Sequence, residues 1–244
     1  MSITRYRNGT IAYLSDKVED KGRKRGFETF TITEDSDGTL MQRALCEIQD
    51  PPFVQRDITQ YGTKDMRPRD CYVRIRTGEN PPFVTGGSWF RFGDKVAECE
   101  GDTTADGRIS QRHPLSGGPV GFCNHSIVGD AWMIATYPLA QGPGEFLVKD
   151  FILPTLNKQG ATGPKLAHAH LAIKFLGRET ITVQAGTFNC LHFTTKSFPP
   201  GGTLGDAEYK YQMWCTDDGL FMAVLSGYMG ERRHELVSLS DKLP

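Results

Sequence analysis

Asp70-Cys71-Tyr72-Val73-Arg74-Ile75-Arg76-Thr77 alternates apolar and polar side chains. Cys71, Val73 and Ile75 share one face, and Asp70, Tyr72, Arg74 and Arg76 share the other. A period of two is the signature of a strand with one covered face. The same pattern runs outward in both directions. Upstream it gives strands over Phe27–Thr33, Leu40–Ile48 and Val54–Tyr61, separated by Asp35-Ser36-Asp37-Gly38 and Asp50-Pro51-Pro52. Downstream it gives Phe83–Phe92, Val96–Glu100 and Arg108–His113, with turns at Glu79-Asn80-Pro81-Pro82, Gly93-Asp94 and Asp106-Gly107.

Residues 114–164 break the rhythm and are rich in Gly and Pro. Val128–Tyr137 reads as a helix ended by Pro138, and Glu145–Leu153 reads equally as a short helix or a strand. Strand patterning returns over Leu166–Leu176, Thr180–Val183, Thr187–Thr195, Glu208–Thr216, Leu220–Tyr228 and His234–Leu239. Gly177 and Ala185-Gly186 read as turns. About a dozen strands on short connections predict an all-β antiparallel meander with a minor helical segment. Such a sheet protects its edges by curling into a barrel-like form or sandwich, here around a pocket. The expected organisation is one domain over 1–244, with 114–164 as an irregular or helical plug or lid.

Composition removes several classes of function. With 28 Lys and Arg against 29 Asp and Glu, the chain lacks the net basic face of a nucleic-acid binder. The Lys21-Gly22-Arg23-Lys24-Arg25 cluster fits a solvated turn. Met1–Tyr13 is polar, unlike a signal peptide, and no apolar run has the length of a membrane span. A cytoplasmic location without membrane partners is the expectation. Cys46, Cys71, Cys99, Cys123, Cys190 and Cys215 lack the spacing of a zinc knuckle and read as buried free thiols.

Gly177-Arg178-Glu179-Thr180-Ile181-Thr182-Val183-Gln184-Ala185-Gly186-Thr187-Phe188-Asn189-Cys190 resembles a G-x-E-x-V-x-V-P-A-G-x-F-x-(A/C) hairpin. That hairpin marks a family of uncharacterised bacterial β-rich proteins, often exported or lipid-anchored. Trp214-Cys215-Thr216-Asp217-Asp218-Gly219 is similar to the family's later W-x-(S/T)-x-D-x-G step, and Gln184 replaces its usual proline. The resemblance covers roughly the last third of the chain. It implies a curved, lipocalin-like sheet and no catalytic residue.

Phe122-Cys123-Asn124-His125-Ser126-Ile127-Val128-Gly129-Asp130 gathers Cys, Asn, His, Ser and Asp in the least regular segment. Loops held by a rigid sheet are where sites concentrate. His125 is the natural acid/base there, with Asp130 to orient it. Arg91 or Arg112 would stabilise developing oxyanion charge. Tyr72, Trp89, Glu98, Tyr209 and Tyr211 would line an aromatic and guanidinium-rich pocket. His168 and His170 share a strand face, a spacing used by β-barrel metal sites; His192, His234 or Glu98 could supply a third ligand by folding, but none follows locally, so neither a metal nor another cofactor is expected. Gly117-Gly118-Pro119-Val120-Gly121 lacks the Gly-Lys-Ser/Thr ending of a phosphate loop.

The first functional reading is a cofactor-independent lyase, dehydratase or isomerase acting on a small hydrophobic, aromatic substrate such as a phenolic alcohol. The second is a non-catalytic lipocalin-like carrier or sensor, and the third a structural envelope-associated protein. A small molecule is the expected partner in the first two, with a homo-oligomer left open.

Overall fold

Alternation along each strand decides which side chains face inward, and the inward sets build the core. The computed structural model describes residues 2–157, 159–202 and 208–243. Eight consecutive strands come first: β1 (Ile3–Ser15), β2 (Lys24–Asp35), β3 (Leu40–Ile48), β4 (Phe53–Gly62), β5 (Pro68–Gly78), β6 (Val84–Phe92), β7 (Val96–Thr103) and β8 (Gly107–Pro114). Then come β9 (Val120–Phe122), the helix α1 (Ile127–Ile134) and β10 (Gly144–Leu153). The chain continues through β11 (Ala167–Val183), β12 (Gly186–Phe198), β13 (Tyr211–Cys215), β14 (Ala223–Tyr228) and β15 (Arg232–Ser240). All belong to one curved 15-stranded sheet, ordered β8 through β1, then β15 down to β9. Each neighbouring pair is antiparallel except β9 with β10, which run parallel.

The all-β meander expected from sequence is therefore the architecture, as a curved sheet that stops short of a closed barrel. The remaining gap is spanned by side chains instead of a backbone ladder. Gln111 on β8 and Leu166, just before β11, exchange two bonds: Leu166 N donates to Gln111 Oε1 (2.8 Å) and Gln111 Nε2 to Leu166 O (3.3 Å). Ser88 Oγ donates to Pro164 O at 2.5 Å, and Lys165 pairs with Asp106 at 2.6 Å.

Four local points are decided by the structure. The polar segment Ile3–Ser15 is a 13-residue strand joining the two halves of the sheet, between β2 and β15. Leu166–Leu176 and Thr180–Val183 are parts of one strand, β11; Leu176 and Gly177 form a bulge opposite His192, with the φ of Gly177 at 132°. Glu145–Leu153 lies within strand β10, and α1 ends at Ile134, earlier than Tyr137.

All eight residues of α1 are buried. The helix lies within the curve of the sheet, its N-terminal turn against Glu28 of β2 and Trp132 against Gly62 of β4. A helix so covered needs apolar residues on every side, and Ile127-Val128-Gly129-Asp130-Ala131-Trp132-Met133-Ile134 offers one charge. The six cysteines are buried and free.

Candidate functional site

The N-terminal turn of α1 is held by an unusual number of acceptors. Ser126 caps it, its Oγ accepting from Gly129 N at 3.0 Å. Asn124 Oδ1 accepts from Ser126 N (2.8 Å) and Oγ (2.6 Å), while its Nδ2 donates to Gln42 (3.0 Å) and Gln60 (2.7 Å). Glu28, wholly buried, accepts from Ile127 N (2.7 Å), Val128 N (2.9 Å), Tyr13 Oη (2.7 Å) and Cys46 Sγ (3.3 Å). The first backbone N–H groups of a helix have no partner inside it and carry the positive end of its dipole, so a carboxylate suits them. Burial nonetheless pushes the Glu28 carboxyl above its usual range. Gly129 has to lack a side chain, because a Cβ there would run into Asn124 and Ser126.

Asp130 follows in the same turn. Its Oδ2 accepts from Tyr211 Oη at 2.7 Å and its Oδ1 from Cys123 Sγ at 3.4 Å. Burial, with a smaller contribution from Glu28, pushes this carboxyl up to about 7. Near neutral pH both of its protonation states are therefore populated. Tyr211 Oη lies 3.1 Å from Ser226 Oγ, which in turn faces His234 Nδ1 at 3.3 Å. Burial and the nearby Arg232 and Arg25 push buried His234 down to about 3.

His125 has a left-handed backbone (φ 64°), and its Nε2–H donates to Thr155 O at 3.2 Å. Burial and Arg56 push this imidazole down to about 3, so at neutral pH it is uncharged, with its lone pair on Nδ1. Arg56, 2 % exposed, donates to the carbonyls of His125 (2.8 Å), Gln159 (3.2 Å) and Gly160 (2.8 Å). Gly160 combines a φ of 65° with an approach to this guanidinium so close that a Cβ would overlap it. Among the described residues no carboxylate hydrogen-bonds Arg56.

Of these groups, Tyr13, Arg56, Cys123, His125, Asp130, Tyr211 and His234 line a cavity of about 400 Å³, within the range of small-molecule sites. Ile48, Met133, Phe151, Leu153 and Leu171 supply apolar wall. Among the described residues, Arg25, Arg56, Lys196, Lys210 and Arg232 line it together with two carboxyls, Asp130 and Glu208. Lys210 pairs with Glu208 at 2.8 Å, and Arg25 with Asp50 at 2.6 Å. Arg232 lies over the Tyr228 ring at 4.6 Å, and its Nε is buried with no hydrogen-bond partner among the described residues.

Of the residues expected from sequence, the structure brings His125, Asp130 and Tyr211 into this one cavity. Asp130 bonds Tyr211 and Cys123, leaving His125 to Thr155. Arg91, Arg112 and Glu98 are elsewhere, in an ion-pair cluster on the outer sheet face (both contacts 3.1 Å). Tyr72 and Trp89 are exposed on that face too. The reason is parity: Cys71, Val73, Phe90, Ala97 and Cys99 point inward, so their alternates point to water. Tyr209 lies outside the cavity lining, under Lys196 at 4.3 Å.

Sequence reasoning missed Tyr13, Glu28, Arg56 and Arg232, and took His234 only as a possible metal ligand. The available signal was again parity. Glu28 alternates in step with Phe30 and Ile32, Arg56 with Val54 and Ile58, and His234 with Leu236. A charge on the apolar side of a strand is worth locating.

No protein-family model and no curated protein matches the chain. Among solved structures, it is similar to a β-barrel-like protein of the domain of unknown function DUF1849 from Brucella abortus. That likeness has a TM-score of 0.57 and 11 % identity over 98 % of both chains. A protein of YmcC-like fold from Bacteroides fragilis aligns over 96 % of this chain and 95 % of its own, with a TM-score of 0.31 and 12 % identity. The first likeness shows a shared fold and carries no activity. No helix among the described residues is long and apolar enough to cross a membrane.

Proposed function

We propose that the protein binds a small amphipathic acid, with an apolar or aromatic body and an anionic group, in the cavity beside α1. The unpartnered Nε of Arg232 carries this reading. A buried donor without an acceptor is costly, and a ligand oxygen would satisfy it. Arg56, which bonds carbonyls and no carboxylate among the described residues, adds a second guanidinium to the lining and favours an anion. The apolar wall favours a hydrocarbon or ring body.

Decanoate and a naphthoate, each compared with its matched alcohol, test the proposal by calorimetry and thermal shift. The acids bind and raise Tm, and Arg232→Met weakens them at least tenfold while leaving the alcohols unchanged. Equal binding of acid and alcohol, or no binding of either, refutes the anionic head.

One observation favours a second reading, acid/base turnover of the bound molecule by a cofactor-independent lyase or isomerase. Asp130, poised near 7 at the cavity wall and bonded to Tyr211, has the pKa of an effective general acid/base at neutral pH. Under that reading Asp130→Asn abolishes product formation and retains ligand binding. A ligand recovered unchanged after incubation with the wild type leaves binding as the function.

A further inference from the structure

His168 and His170, two apart on β11, share the outward side of that strand, while Ala169 and Leu171 between and beyond them are buried. Sequence places no third ligand beside this pair, and the residues that complete a cluster are not His192, His234 or Glu98. They come from two other strands. The curvature of the sheet carries the end of β8 to the start of β11, where the His113 and His168 rings lie 4.0 Å apart between centroids. On β10, the register against β11 shifts between Val148 and Phe151. Such a bulge re-aims the side chains within it and frees backbone groups from the ladder. Asp150 lies in that irregularity and is buried, and the neighbouring carbonyl of Lys149 accepts hydrogen bonds from side chains.

One ligand atom each from His113, Asp150 and His168 falls within 4.8 Å of the others. We propose that these three residues bind a divalent transition-metal ion of the zinc type across the seam of the sheet. Two imidazoles and a carboxylate are a donor set for zinc and its neighbours, in contrast to the all-oxygen sets that hold calcium or magnesium. At metal–ligand distances of about 2.0–2.2 Å, tetrahedral ligand atoms stand roughly 3.4 Å apart, so side-chain rotations of about an ångström complete the set.

The surroundings are those a metal ligand needs. His168 Nε2–H donates to Lys149 O at 2.9 Å, which fixes the tautomer and leaves the Nδ1 lone pair as the donor. His170 Nδ1–H donates to the same carbonyl at 2.8 Å, so the bulge orients both rings. Asp150 Oδ2 accepts from Ser116 N (2.8 Å) and Ser116 Oγ (2.7 Å), which anchors the carboxylate by one oxygen. Three protein ligands leave a fourth position for water or for the adjacent His170, whose ring lies 5.6 Å from that of His168.

The ligands come from opposite ends of the strand order. β8 is one terminal strand, whereas β10 and β11 lie near the other. A bound ion would therefore tie together two edges that, among the described residues, are joined by side chains such as Gln111 and Lys165. It would stabilise the folded chain by mass action, since the unfolded chain has no such preformed site.

Calorimetric titration of EDTA-treated protein with zinc chloride near neutral pH tests the site. The expected result is one equivalent bound and a Tm raised by about 5–10 °C at a hundredfold excess over Kd. His113→Ala and His168→Ala each weaken binding at least a hundredfold, Asp150→Asn weakens it tenfold or more, and His192→Ala leaves it unchanged. Should an alanine variant fail to fold, paramagnetic cobalt(II) reads the site in the wild type, by broadening the ring protons of His113 and His168 while sparing His192 and His234. Absence of binding, equal zinc affinity in the His113 and His168 variants, or broadening that avoids these rings overturns the proposal.

Discussion

Replacing His234 by glutamine removes one titrating group from the buried network, and its effect on stability has a defined sign. His234 is pushed down to about 3 in the folded protein, against about 6.5 in an unfolded chain. A depressed histidine contributes stability that is fully present above pH 6.5 and is lost as pH falls towards 3, because only the unfolded state gains the proton. The gap corresponds to roughly 3–6 kcal/mol, released at about 1 kcal/mol per pH unit. Glutamine cannot titrate, so His234→Gln abolishes this slope. It also disturbs the contacts with Ser226 (3.3 Å) and the Tyr13 ring (5.0 Å), which lowers stability by a pH-independent amount. The diagnostic is therefore the shape of the profile. Urea unfolding followed by tryptophan fluorescence at several pH values between about 4.5 and 7 gives it. The wild type should lose about 1 kcal/mol per pH unit more than the variant on acidification. Parallel profiles would show that His234 titrates normally and that the buried network is open to water.

Asp130→Asn should act with the opposite sign. A carboxyl pushed up to about 7 holds its proton better folded than unfolded, so it costs stability as pH rises from about 4 through 7. The variant should gain on the wild type by about 1 kcal/mol per pH unit over that window, and unchanged relative stability would refute the raised value. Glu28→Leu leaves Tyr13 Oη and the backbone N–H groups of Ile127 and Val128 without their acceptor, a loss of roughly 3–6 kcal/mol. Glu28→Gln keeps one acceptor oxygen and should lose about half as much, as compared by denaturant midpoints; wild-type stability in Glu28→Leu would show that the buried acceptor is dispensable.

The uneven legibility of the sequence has a physical basis. β5 and its neighbours were readable because their inward residues are nearly all apolar, so alternation of polarity and alternation of facing coincide. β1 was not, because its inward set includes Arg7, Gly9 and Ser15 beside Ile11 and Tyr13. Arg7 is neutralised there by Asp218 (2.6 Å) and Asp241 (2.8 Å), more than two hundred residues away in the chain. The His125–Asp130 loop stood out through its density of reactive side chains and its irregular setting. Arg56 and His234 are single polar residues within ordinary strands, and only long-range assembly brings them to one cavity. The two other strands contributing to the His168 cluster were hidden for the same reason: ligand spacing within one segment is visible, whereas approach across a seam is not. The outer aromatic and arginine face shows the converse, a conspicuous composition that parity assigns to water.

The pairing of β1 with β15 also bears on how the molecule is made. Strands β1 to β8 pair in the order in which they are synthesised, so that half can assemble through local contacts. Yet one edge of β1 waits for Arg232–Ser240, more than two hundred residues later. At about 5–20 residues per second, that edge stays open for roughly 10–40 s on the ribosome. Throughout that interval the nascent half offers a bare row of backbone donors and acceptors, a template for any passing strand. Arg7, a charge on the inward face of that strand, is then suited to keeping foreign chains from settling there, before it serves the finished sheet.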